Sequence, residues 1–171
     1  MKITDIKTTK QTQTMKTTRT ITELQKFNIY GAAYLEKFKD TPAVKDEKGN
    51  VTTPAILQEN KLCSAIKKFT KQLEKIFNDF NENKDDLQID NCLTYTEGKE
   101  KGAIMKDEKG NRLYSKEGER ALKKSLKEEM EKSIDIHARI PEGIDDLIVE
   151  LEDYEKESFS GLIIPEQAKE E

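Results

Sequence analysis

The chain has 171 residues, 34% hydrophobic, 37% charged and only 6% aromatic, with a net charge of -4 and a mean hydropathy of -0.85. That length allows one domain, or a small domain with tails, and that composition excludes a thick aromatic core. It suits long amphipathic helices that each bury one stripe, against another copy or another protein.

The charge is uneven. Lys2, Lys7, Lys10, Lys16 and Arg19 face Asp5 alone in the first twenty residues, whereas acids dominate from Glu142 to Glu171. Two readings stand for this polarity: solvated ends, or ends of opposite potential that steer copies head to tail. Cys63 and Cys92 are the only cysteines. On one helix they lie about 44 Å apart, too far for an intrachain bond, so both read as free thiols. No apolar run approaches ~20 residues and the N-terminus lacks an apolar leader core. The expectation is therefore no membrane partner and no secretory signal.

Residues 1–19 are rich in Thr, Lys and Gln. β-Branched Thr favours extended backbone, so this stretch reads as a basic arm ordered on a neighbour. Nucleic-acid phosphates are another target for such an arm, but aromatics and Arg clusters are missing. A first helix is expected from Thr20, which with Glu23 fits a capping box, to about Asp40 ahead of Pro42. Leu24, Phe27, Gly31, Tyr34 and Phe38 form its stripe, and Gly31 and Ala32 allow close approach of another helix.

Lys45-Asp46-Glu47-Lys48-Gly49-Asn50 recurs unchanged at Lys106-Asp107-Glu108-Lys109-Gly110-Asn111. Acidic and amide residues with Gly at a left-handed position make a tight reversal, so both copies read as hairpin turns. Short strands are expected around the second, Ala103 to Met105 and Arg112 to Tyr114. Val44 and Val51 flank the first. The later oxygen ligands of a calcium loop are missing. The two turns are either a repeated loop–helix unit or two convergent solutions.

A long helix is expected from an N-cap at Thr53, with Pro54 in its first position, to about Ile89. Leu62, Ile66, Phe69, Leu73, Ile76, Phe80 and Leu87 alternate steps of four and three. This is a coiled-coil seam, read as a self-association or partner-packing surface. Asn83 occupies a seam position, where it either fixes register or marks the seam's end. Lys67, Lys68, Lys71 and Lys75 between the apolar rows read as a solvated face.

Ser115 is placed to cap a third helix with Leu122, Leu126 and Met130 as its stripe, packed antiparallel on the long one. Gly118 in its first turn weakens it. The period then changes: Ile134, Ile136, Ala138 and Ile140 alternate with polar residues, giving a strand closed by Pro141. His137, the only histidine, falls on that strand's polar side with no nucleophile or second histidine patterned around it. A short helix near Asp153 to Ser160 ends at Gly161. Leu162, Ile163 and Ile164 then form an apolar clip, which either docks on the core or serves as a partner-binding tail.

The expected fold is mainly α: a long central helix packed with two shorter helices as a hairpin or bundle, a small β-hairpin, a short strand and an extended N-terminal arm. The expected division is an arm at 1–19, a helical domain at 20–140 with the hairpin inserted at 103–115, and an acidic tail at 141–171. Phosphate loops, Cys/His metal spacings and base–nucleophile pairs are missing, so no enzyme, cofactor or metal is expected.

The stretches Phe69 to Leu87, Ile104 to Tyr114 and Leu122 to Ile140 carry a resemblance to small uncharacterised proteins of tailed bacteriophages, including crAss-like phages. They cover well under half the chain. The Lys, Glu, Asn and Ile content fits an AT-rich genome. The resemblance implies a phage particle component or accessory protein, in the virion or the host cytoplasm. The first expectation is a structural or assembly subunit, partnered by further copies or other phage structural proteins. The alternative is an accessory binding protein that captures a host factor or a small defence signal.

Overall fold

The computed structural model describes residues 13–38, 42–54 and 59–167. Among them are β1 (Gln13–Arg19), α1 (Ile21–Lys37), β2 (Val44–Lys45), β3 (Val51–Thr53), α2 (Lys61–Asn91), α3 (Lys116–Glu131), β4 (Ile134–Ile140), α4 (Asp145–Val149) and α5 (Asp153–Phe159). The protein is mostly helical, with two two-stranded sheets, β1 with β4 and β2 with β3. The chain divides into two compact units. One lies within Met1–Arg19, Glu23–Gln72 and Asp135–Glu171, the other within Thr20–Thr22 and Leu73–Ile134.

In the first unit, α1 presents Leu24, Phe27, Gly31 and Tyr34, all buried. It runs antiparallel to the start of α2: Phe27 meets Phe69, Gly31 meets Ile66 and Tyr34 meets Asn60. Gly31 has to be small, because a Cβ there would lie 3.0 Å from Ile66 Cγ2. Ala32, expected to share that role, is exposed. Phe27 packs edge-on against Phe69 at 4.6 Å and against Phe159 of α5 at 5.4 Å. Aromatics are scarce in the sequence, and this unit gathers them at one point, where each removes a large apolar area from water.

β4 spans the residues whose alternation marks them as a strand. Ile136, Ala138 and Ile140 are buried while Asp135, His137 and Arg139 are exposed. One edge pairs with β1. On the other, the Gln72 amide donates to the His137 carbonyl at 3.0 Å and accepts from its N–H at 2.8 Å. Arg139 N–H donates to the Leu162 carbonyl at 3.0 Å. Both edges are thereby covered, which removes a template for aggregation. The basic stretch expected as an arm on a neighbour thus supplies, over 13–19, a strand within its own chain.

The long helix begins later than the sequence suggests. Thr53, expected to cap it, ends β3 instead, consistent with the extended preference of β-branched residues. Asn60 is the observed cap: its side-chain oxygen accepts from Cys63 N–H at 3.0 Å. The first turn carries the paired strands, β2 and β3, with a bulge between Val44 and Lys45.

In the second unit, around the second turn, isolated bridges replace the expected strand pair. Leu93 N–H donates to Leu113, Leu113 to Met105 and Met105 to Leu93, at 2.8, 3.0 and 2.8 Å. Three segments meeting in a ring leave no two of them free to form a ladder. The turns themselves match atom for atom. Asp46 Oδ1 accepts from the N–H groups of Lys48 and Asn50, and Asp107 Oδ1 from those of Lys109 and Asn111. Gly49 and Gly110 take φ of 80° and 82°, where any side chain is strained.

Ser115 caps α3 as expected, its Oγ accepting from Gly118 N–H at 2.9 Å. Gly118 lies against Asn91 and Glu129 bonds to Asn83, so α3 runs antiparallel to the end of α2. The glycine that weakens the helix is what lets it seat, since a Cβ there would stand 2.4 Å from the Asn91 carbonyl oxygen. Gly118→Ala should therefore lose stability by about 1–2 kcal/mol, despite the better helix propensity of alanine. Urea denaturation followed by circular dichroism measures it, and a gain in stability would contradict this packing.

Candidate functional site

The seam residues do not form one exposed surface. Leu62, Ile66 and Leu73 have no exposure, Phe69 has 3% and Phe80 has 8%. In the first unit Ile66 and Phe69 are covered by α1 of the same chain, so the expectation that they pack against another copy is corrected: they are core. Of the two readings of the apolar clip, docking on the core and a partner-binding tail, its burial matches docking. Leu162, Ile163 and Ile164 are buried, docked after a turn in which Gly161 takes a φ of 68°. Arg19 anchors this turn by donating to the Ser160 carbonyl at 3.0 Å.

Further along the same stripe the cover thins. Ile76, Phe77 and Leu87 remain partly exposed, and α3 buries no residue completely: Leu122, Leu126 and Met130 are all partly open. Asn83, on its seam position, is turned to the chain's own use and donates to Glu129 Oε1 at 3.1 Å. Lys132 also pairs with Glu129, and these two hydrogen bonds, that of Lys132 the stronger, hold the carboxyl below its ordinary range. Ile89, Leu93, Tyr95 and Leu113 are exposed in the same unit. Arg112 ties its segment to α2 by donating to Asp85 at 2.6 Å and Gln88 at 2.9 Å.

The first unit carries a cleft of about 330 Å³. One face of α2 supplies Lys61, Ser64, Lys68 and Gln72, and the end of β4 supplies Arg139 across from them. Phe69 forms part of its wall, and none of the residues lining it is acidic. Lys68 is exposed, as the solvated-face reading has it, and the fold sets Arg139 of a distant strand in the same lining.

Glu155 is the one fully buried charge among the described residues. Its Oε1 accepts from Lys37 at 2.6 Å and its Oε2 from Glu152 N–H at 3.0 Å. A buried carboxylate needs such partners. Oε1 thus fastens α5 to α1, while Oε2 closes the capping box at the start of α5 itself; the link to Lys37 is one that no local sequence signal announces. That hydrogen bond also raises the Lys37 pKa.

Among the described residues, no three His, Cys, Asp or Glu side chains converge as a metal site. Nor is any helix there long and apolar enough to cross a membrane. No protein-family model matches the chain, and no curated protein or solved structure matches it.

Because the folded pKa of Glu129 is depressed, its contacts stabilise above the unfolded value and are lost as pH falls through the folded one. Hydrogen exchange in the last turn of α3 should thus quicken relative to β4 as pH drops below the ordinary glutamate range. Glu129→Gln should abolish that acid response. An unchanged response in the variant would remove Glu129 as its source.

Proposed function

We propose that this protein is a non-enzymatic subunit of a symmetric assembly, a structural or assembly component of a tailed bacteriophage acting in the virion or the host cytoplasm. The observation that carries the assembly reading is the half-covered α2–α3 face, Ile76, Leu87, Leu122, Leu126 and Met130. A seven-residue repeat specifies a helical partner along its whole length. Here the repeat runs on to Leu87, where the chain's own cover is incomplete. A second copy of the same helical hairpin, completing a helical bundle, supplies the missing surface and stabilises the pair at about 25 cal/mol per Å² of apolar area removed from water. The phage assignment rests on the sequence resemblance alone.

Light scattering at micromolar concentration should give an oligomer for the native chain. Leu126→Ser with Met130→Ser should give a monomer with unchanged helical content. Phe69→Ser, by contrast, should cost about 3–5 kcal/mol of folding stability, because it empties the aromatic core rather than an interface. A native monomer would overturn the assembly reading. Absence of the protein from purified particles of its phage would overturn the virion one.

A further inference from the structure

We infer that the cleft between α2 and the end of β4 binds a small phosphate ester of nucleotide size. The inference goes beyond the assembly reading and does not depend on it, since the cleft and the α2–α3 face belong to different units.

Three cations, Lys61, Lys68 and Arg139, line one concavity with no carboxylate among them. Like charges so placed repel one another, and a multivalent anion relieves that cost. Lys61 and Lys68 stand seven residues apart on one face of a helix, two turns along it; the Lys61 ammonium donates to the Glu142 carbonyl at 3.1 Å, at the rim of the cleft, and keeps further N–H groups for a ligand. Arg139 adds a planar fork from the opposite wall, a geometry suited to two phosphate oxygens. The Ser64 and Thr14 hydroxyls lie in the same lining and can donate to further oxygens.

Beside Gln72, the remaining wall is apolar: Ala65, Phe69 and Pro141. Phe69, in the lining and only 3% exposed, offers a small apolar surface backed by the aromatic core. The combination suits a ligand with an anionic end and an organic end. A volume of about 330 Å³ sits at the small end of ligand clefts and matches a mononucleotide.

The test is an amide-shift titration of the full chain at low salt with four probes: ADP, adenosine, inorganic phosphate and a short single-stranded DNA. ADP should give saturable shifts confined to residues 61–72 and 139–141, and bind about tenfold or more tighter than adenosine. Phosphate alone should shift the same residues more weakly. Lys68→Glu with Arg139→Glu should weaken ADP about tenfold or more and leave the unfolding midpoint and scattering mass unchanged. Equal responses to ADP and adenosine, unsaturable or scattered shifts, or an unaffected double variant would each overturn the proposal. DNA that binds tightly where ADP does not would make the cleft a nucleic-acid track and overturn it too. If the double variant fails to fold, the ADP–adenosine comparison on the native chain still decides.

Discussion

The meeting of Phe27, Phe69 and Phe159 is the contact on which the first unit depends. Phe69 stands on α2, Phe27 on α1 and Phe159 at the end of α5, so one cluster fastens together three elements far apart in sequence. Each ring buries on the order of 150–250 Å², which in so polar a chain is a large share of the available driving force. The turn beyond Phe159 follows from it, because Leu162 to Ile164 are buried where α5 delivers them. Lys37 and Glu155 then hold α5 to α1 with the single buried charge among the described residues.

The second unit is built on different terms. It has few fully buried side chains, a third helix that buries none, and tight turns and caps that satisfy its backbone locally. Polar contacts such as Asn83 to Glu129 and Arg112 to Asp85 do much of the joining. Exposed pairs of this kind contribute little each and leave apolar edges open. The two units are thus closed by different means, the first by aromatic packing and the second by local caps and polar contacts.

Much of the fold was legible residue by residue. Ser115 announced a cap, Pro141 a strand end and Gly161 a helix stop, because each signal is local and sterically strict. The alternation of Ile134 to Ile140 specified which face of β4 is buried. The heptad marked the ridge itself, and at Ile66 and Phe69 its cover is α1 of the same chain. Spacing of 3.5 residues states that a helix packs along the ridge, and is silent on whether that helix belongs to the same chain. Thr53 with Pro54 imitated a helix start and hid Asn60, since capping residues also favour strand ends and turns. Three-way backbone pairing at Leu93, Met105 and Leu113 was hidden for another reason: Leu93 lies beyond the range over which hairpin signals operate. The cleft joins Thr14, one face of α2 and Arg139, so only the tertiary fold reveals it.

The central claim is that the first half of the α2 ridge is closed within one chain. Cys63 sits inside that half with no exposure, and Cys92 lies outside it, partly exposed. Thiol labelling of the native protein, followed over a range of dilutions, reads the two separately. The account predicts that Cys92 reacts promptly and that Cys63 reacts only as fast as the chain unfolds, at every concentration. Cys63 that reacts as readily as Cys92 in dilute solution, and is shielded only when the protein is concentrated, would show that another copy provides the cover and would contradict it.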